Sequence, residues 1–361
     1  MTAPRDTSGA LMADIQATTF CDLSQSQQGR FSRRTALHAA GAMTLGTSWL
    51  FAPESLHAQD AWPTKPVKMI IPFPPGQATD IFGRLFAQRL SGLWGQGVVV
   101  ENRPGGSSII GMEALKNAPA DGYTLGMVSS GPLSINPSVF SRLPYDPVRD
   151  FTPISLAFIA PLVLLVNKDL PVQTTAELVN LMRQQPGRLS YASGGPGTSQ
   201  HLACELFKMA TKTFAVHIPY KGSGASLPAL MGGEISMTAD TLSTVINHHK
   251  SGKVRIMGIA ANKRFPIAPD IPTVNEALGL TDFQIMAWYA IMAPAGLPDA
   301  ILQKLAVAND KALSDPNLLE RTSALSIQAT PGITGAQATL FVRQDIERLS
   351  PVIKSLNFKL D

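Results

Sequence analysis

Two extended apolar runs, residues 154–166 and 283–293, constrain the fold of this chain more than any other feature. On either side of them, short β-like runs alternate with helical patterns, the signature of an α/β protein with mostly parallel sheets. The runs are natural crossovers between two such blocks. Two strands passing between blocks make a hinge, and a cleft between hinged lobes is a standard ligand site. The expected fold is therefore α/β, two-lobed, with mostly parallel sheets and two crossover strands. Residues 59–166 and 288–361 form lobe 1 and residues 167–287 form lobe 2.

Within the blocks, strands are predicted at 67–73, 97–101, 123–129, 189–193, 215–218, 235–238 and 254–260. The apolar residues Ile81, Phe82, Leu85, Phe86, Leu90 and Leu93 recur at helical spacing after Thr79, whose side chain suits an N-cap. Further helices are predicted at 109–117, 175–184, 226–231, 241–250, 299–313 and 334–353. Residues 132–153 are punctuated by proline and carry no clear element.

The first 58 residues have a different character. Arg33 and Arg34 precede an uncharged apolar stretch, 36–52, and Leu56-His57-Ala58 ends it. This pattern predicts a twin-arginine signal peptide, 1–58, and a mature chain that works in the periplasm. The leader's basic and acidic residues cancel, so the mature part keeps the whole net charge of +4. Its Lys and Arg are scattered, with no run and no interleaved aromatics, which argues against a nucleic-acid groove. Cys21 falls in the leader, leaving Cys204 as the one mature thiol and no internal disulfide. The apolar run 154–166 is too short to span a bilayer and contains Pro161, so no membrane embedding is expected.

Catalytic patterns are scarce. There is no Gly-x-Ser-x-Gly elbow, no His-Glu-x-x-His pair and no phosphate loop ending in Lys-Ser/Thr. His201, Cys204 and Glu205 make at most half a zinc site, and His248 and His249 diverge on a helix, so neither metal nor cofactor is expected. Asp80, Asp121 and Asp240 fall near strand ends, where capping explains an acid better than general-base work. A secreted hydrolase using Ser193 with His201 is a minor alternative.

What remains is a set of glycine- and hydroxyl-rich turns at strand C-termini. They comprise Phe73 to Asp80 (with Gly76, Gln77, Ala78 and Thr79), Ser129-Ser130-Gly131, Ser193 to Thr198 (with Gly197), and Tyr220-Lys221-Gly222-Ser223. In parallel α/β sheets ligands sit outside these strand ends. A glycine turn opening a helix is expected to aim free backbone N–H groups at the cleft, where the helix dipole favours an anion.

In order and spacing, the motifs of the chain from 62 onward resemble the solute receptors of tripartite tricarboxylate transporters, the Bug receptors. They are Trp62-Pro63-Thr64-Lys65-Pro66, Pro72-Phe-Pro-Pro-Gly76-x-x-x-Asp80, Val100-Glu-Asn-Arg-Pro-Gly105 and Asp121-Gly-Tyr-Thr-Leu125. Then come Tyr191-Ala-Ser-Gly-x-Pro-Gly-Thr198 with His201-Leu202, His217-Ile-Pro-Tyr-Lys-Gly222, and Trp288 ahead of Ala293-Pro-Ala-Gly296. The resemblance implies a periplasmic-binding-protein-like "Venus flytrap" that is not an enzyme. Such a receptor captures a small carboxylate as a monomer and delivers it to a two-subunit membrane permease; a sensor that signals without transport is the alternative. It also implies ligand contacts from Phe73, Gly76, Ala78 and Asp80 in lobe 1. In lobe 2 it implies Ser193, Thr198, His201, Lys221 and Gly222, with Asp240 facing a ligand amine and Glu101-Asn102-Arg103 bracing the lobe. The family's first loop usually carries two adjacent glycines. Here Gln77 replaces the second, which puts the usual carboxylate pose in question.

Overall fold

The computed structural model describes residues 62–281 and 283–355. The expected leader, its cleavage site and Cys21 lie outside these residues. Residues from Trp62 onward cluster as one compact unit.

The first half of the chain lays down β1 (Val67–Ile71), α1 (Ala78–Trp94), β2 (Val98–Asn102), α2 (Ile109–Lys116) and β3 (Thr124–Ser129). β1 pairs in parallel with both β2 and β3. Helix α1 buries Phe82, Phe86, Ala87 and Leu90, the two Phe and the Leu side chains contributing about 1.5–3 kcal/mol each. Gly83 lies on the same face because a Cβ there would meet the Ile71 side chain of β1. The N-cap of α1 is Gln77 and not Thr79, which falls inside the first turn, and no side chain caps it. Within the proline-punctuated stretch the chain forms a π-helical turn, Gly131–Ile135, and a short helix α3 (Asn136–Val139). Tyr145 closes this region by donating its hydroxyl to the Pro132 carbonyl at 2.7 Å.

β4 (Phe151–Asn167) is the spine of the molecule. Its first half pairs antiparallel with β9 (Met286–Pro294), from Phe151 to Pro161, and with the two-residue β10 (Gln328–Ala329). Its second half, from Leu162 on, pairs antiparallel with β7 (Met237–Thr241), and from Val163 on with β8 (Val254–Ile259). Between them run α4 (Thr175–Gln184), β5 (Ser190–Ser193), α5 (Ser199–Thr211), β6 (Val216–Pro219), α6 (Ser223–Met231) and α7 (Leu242–Lys250). β5 pairs in parallel with β6 and β7. The fold is a mixed α/β, two-lobed one. The outer strands of each lobe are parallel as expected, whereas the crossovers pair antiparallel, because β4 and β9 run past each other in opposite directions.

The chain then returns to lobe 1 through β9. A short helix α8 (Val274–Leu278) lies ahead of β9, and the terminal helices after it are α9 (Asp299–Leu313), α10 (Pro316–Ala324) and α11 (Gly335–Ser355). Trp288 of β9 ties the last of these down by donating to the buried Asp345 carboxylate at 2.7 Å. The Phe82 ring meets Tyr289 edge-on at 4.7 Å and Phe158 at 5.7 Å, so one aromatic cluster links α1 to both crossover strands. No helix among the described residues is long and apolar enough to cross a membrane.

Candidate functional site

The C-terminal ends of β1, β3, β5 and β7 converge on one small cavity of about 10 Å³, lined by residues of both lobes. Lobe 1 supplies Phe73, Gln77, Ala78, Thr79 and Ser129. Lobe 2 supplies Thr198, Ser199, Gln200, Asp240 and Thr241, and the crossovers add Leu162 and Tyr289. Three helices begin here, α1 at Ala78, α5 at Ser199 and α7 at Leu242. Each directs the partial positive charge of its first turn into the cavity.

The lobe 1 loop is shaped by a carboxylate. Asp80 Oδ2 accepts the Gly76 N–H at 3.0 Å, while Oδ1 accepts from Arg84 Nε and Asn102 Nδ2, both at 2.9 Å. The Asn102 amide also donates to the Phe73 carbonyl at 3.0 Å, so it fastens both ends of the turn. Burial pushes the Asp80 carboxyl up. The hydrogen bonds from Arg84, Gly76 and Asn102, with the Arg84 charge, outweigh that and hold it below its usual range. Asp80 thus faces away from the cavity and organises the loop from behind. Asn102 braces the lobe, as expected.

The lobe 2 loop is shaped by neutral groups. Ser193 Oγ lies 2.7 Å from His217 Nε2 and accepts the Gly195 N–H at 3.1 Å. Gly197 N–H points to His201 Nδ1 at 3.4 Å, and Gly194 N–H to Gln200 Oε1 at 3.2 Å. Thr198 caps α5 through the His201 N–H and donates its hydroxyl to the Gly195 carbonyl at 2.7 Å. His201 and His217 stack with centroids 4.0 Å apart, and Tyr191 stacks on His217 at 4.8 Å. Burial, with the neighbouring His217 and Lys208 charges, pushes His201 down to about 3; burial pushes His217 down to about 4 against the opposing Glu205 carboxylate, with Lys208 adding to the fall. Both rings are therefore neutral near pH 7.

This geometry corrects several expectations. The glycine-loop amides of lobe 2 do not aim at the cleft. Those of Gly194, Gly195, Gly197 and Thr198 are all spent inside the loop. The residues that line the cavity beside these loops belong instead to the first helical turns that follow, Ala78–Thr79 and Ser199–Gln200. Ser193 is paired with His217 and not with His201, and it is fully buried. Gly76, Asp80, Gly131, Ser193, Gly197, His201, Lys221, Gly222 and Ser223 do not line the cavity. Lys221 is exposed, while Ser223 is buried and accepts from Gln200 Nε2 at 3.0 Å.

Two of these residues act as lobe contacts. A Cβ on Gly222, whose φ is +99°, would sit 2.7 Å from Gln77 Oε1 and 2.9 Å from Pro74 Cγ. Gly131 likewise meets the Gly197 carbonyl, where a Cβ would come to 3.0 Å. Only glycine lets the lobes approach so closely. Among cavity residues not expected from the sequence, Ser199 and Gln200 sit one and two places beyond the predicted Ser193–Thr198 turn, and Thr241 opens the helix predicted at 241–250, next to Asp240. Leu162 and Tyr289 lie inside crossover strands whose apolar pattern carries no sign of a site.

Asp240 stands out electrostatically. It is buried, and Oδ1 accepts the Thr241 N–H at 2.7 Å. Burial pushes its carboxyl up to about 6, against the opposing pull of Ser223, the Thr241 N–H and Gln200. Among the described residues no group of three His, Cys, Asp or Glu is placed to hold a metal ion.

Two lobes joined by crossover strands, with strand ends and helix N-termini meeting at a shared cavity, define a solute-binding protein. Residues 82–358 match the tripartite tricarboxylate transporter family receptor, and the chain belongs to this family. It is 35% identical to the protein BugT of Bordetella pertussis over 90% of this chain and 99% of that one. Among solved structures, an R. palustris protein with adipate superposes with a TM-score of 0.80 at 32% identity, covering 82% of this chain and 99% of the other. MatC from Rhodopseudomonas palustris with bound malate gives 0.77 at 30% identity, covering 81% and 100%. The family is one of solute receptors and not of enzymes.

Proposed function

We propose that this receptor captures a small carboxylate between its lobes in the periplasm and delivers it to a two-subunit membrane permease of the tripartite tricarboxylate type. The observation that carries this is the convergence of three helix N-termini on a cavity lined by no Lys, Arg or His. A carboxylate held there is neutralised by helix dipoles and main-chain donors, without a side-chain cation. The adipate and malate found in related structures support the same chemistry. Residues 1–58, as a twin-arginine leader, account for export.

Capture requires movement. With Gln77 against Gly222 and Gly131 against Gly197, the lobes are closed, and the cavity of about 10 Å³ has room for about one water. A solute enters when the lobes part at Pro161 of β4, where its pairing changes from β9 to β7, and near Ile285 ahead of β9. Closure follows only if the solute binds the closed form better than the open one.

Calorimetry and small-angle scattering against a panel of mono-, di- and tricarboxylates test this. Binding should shrink the radius of gyration and, at a hundred times Kd, stabilise the fold by about 2.7 kcal/mol. Tight binding with an unchanged radius would contradict closure. No binding of any carboxylate would end the proposal.

A further inference from the structure

Helix α5 carries two apolar stripes. Ala203, Cys204 and Phe207 share the main core with Leu178, Met182 and Tyr191 of their own lobe. Leu202 is only 2% exposed, yet it has no place in that core. It belongs to a separate cluster whose other buried members, Ile135, Val139, Leu349 and Ile353, all come from lobe 1. Leu206, one turn further along the same stripe, is half-buried against it. Leu349 and Ile353 stand four residues apart on the last turns of α11, while Ile135 and Val139 come from the π-helical turn and α3. Beside them the Gly197 backbone lies against Val139 and the Asn136 amide, and a Cβ on Gly197 would come to 3.6 Å from Val139 Cγ2. Asn136 is fixed by donating to the Ser107 carbonyl at 2.9 Å and to the Tyr145 hydroxyl at 3.2 Å, so lobe 1 presents a preset face. None of the five buried members lines the solute cavity.

We propose that this cluster is an apolar latch, made only when the lobes close, that raises the receptor's affinity for every solute alike. The inference rests on the closing motion above and adds to it residues that never touch solute. Opening draws Gly197 away from Gly131 and Val139, and Leu202 leaves with it, because α5 moves with the loop that begins it. The Leu202 stripe and its lobe 1 partners then face water. Closing buries them again, a gain that does not depend on the chemistry of the solute. Burying one leucine side chain is worth at least about tenfold in an equilibrium constant. In a receptor that is open before binding, apparent affinity is the closed form's affinity scaled by the fraction closed. The latch raises that fraction. The cavity thus decides which carboxylate is preferred, and the latch decides how tightly all of them are held.

The test compares the parent protein with Leu202→Ala by calorimetry and stopped-flow dissociation, using adipate, malate, succinate and citrate as probes. Kd should rise at least about tenfold for every acid the parent binds, with ratios between acids kept within about twofold. The loss should lie in faster dissociation. Solute-free Leu202→Ala should melt within about 2 °C of the parent, since the open form has no lobe 1 contact at this side chain to lose. Leu349→Ala, on the opposite lobe, should act in the same sense at about threefold or more, and the double variant should lose less than the product of the two. It also keeps the test open should Leu202→Ala misfold, which circular dichroism checks. Unchanged affinity in both folded variants, a loss confined to one acid, or a lowered solute-free melting temperature with affinity intact overturns the latch. Each of these leaves the carboxylate receptor standing, because the parent still binds. A parent that binds none of the four acids counts against both.

Discussion

The two loops that face each other across the cleft do the same job with opposite chemistry. In lobe 1 a single ionised carboxylate, Asp80, gathers Gly76, Arg84 and Asn102 behind the turn. In lobe 2 a hydroxyl and two neutral imidazoles, Ser193, His217 and His201, hold the glycine amides. Each arrangement leaves the next helical turn, at Ala78–Thr79 and at Ser199–Gln200, to face the cavity. The difference teaches that an anion site can be rigidified by charge or by uncharged groups, provided the anchor lies behind the loop.

Acid should separate the two most strongly. His201 and His217, pushed down by burial to about 3 and about 4, stay neutral in the folded state. Below about pH 6.5 the unfolded chain takes up two protons that the folded one refuses, so their contribution is complete above that value and lost as pH falls toward 4. Asp240 has the opposite sign. Raised by burial to about 6, it keeps a proton when folded that the unfolded chain releases down to about pH 3.9, which adds stability on acidification. The net is about one proton, or about 1.4 kcal/mol per pH unit, amounting to about 3 kcal/mol between pH 6.5 and 4.5. Asp80, held below its usual range, keeps its contribution above the unfolded carboxylate value and loses it only at lower pH. Urea midpoints at several pH values measure this. His217→Phe should flatten the profile and Asp240→Asn should steepen it, and a profile insensitive to both would break the contrast.

Asp80→Ala comes next, at about 2–3 kcal/mol, since it strands the Gly76 N–H and two side-chain donors. It should weaken carboxylate binding as well, read by calorimetry, because the turn before α1 loses its anchor. Unchanged affinity and stability together would remove Asp80 from that role. Ser193→Ala should cost about 1–2 kcal/mol by releasing the Gly195 N–H and His217 Nε2, measured by thermal unfolding. Arg84→Ala is the mildest, about 1 kcal/mol or less, because Arg84 is half exposed and Asn102 still holds Asp80. A loss as large as that of Asp80→Ala would instead make the ion pair the main anchor.

Residue pattern alone located nearly every strand and helix to within a few positions, because periodicity and turn chemistry are local properties. The crossovers were legible as uninterrupted apolar runs, and Phe73, Gln77, Ala78, Thr79, Ser129, Thr198 and Asp240 were legible as strand-end residues that do line the cavity. Short elements such as α3 and α10 were not, since prolines and a weak period hide a helix that distant packing stabilises.

Tertiary structure decided which way each polar group faces. Asp80 turns inward because Asn102, on a neighbouring strand, meets it there, and the lobe 2 amides turn inward because His217 arrives from β6 beside Ser193. Tyr289 and Leu162 reach the cavity only because β4 and β9 run antiparallel between the lobes. A hydrogen bond is chosen by what lies within about 3 Å in space, and nothing in the order of residues along one segment specifies what another will bring to it.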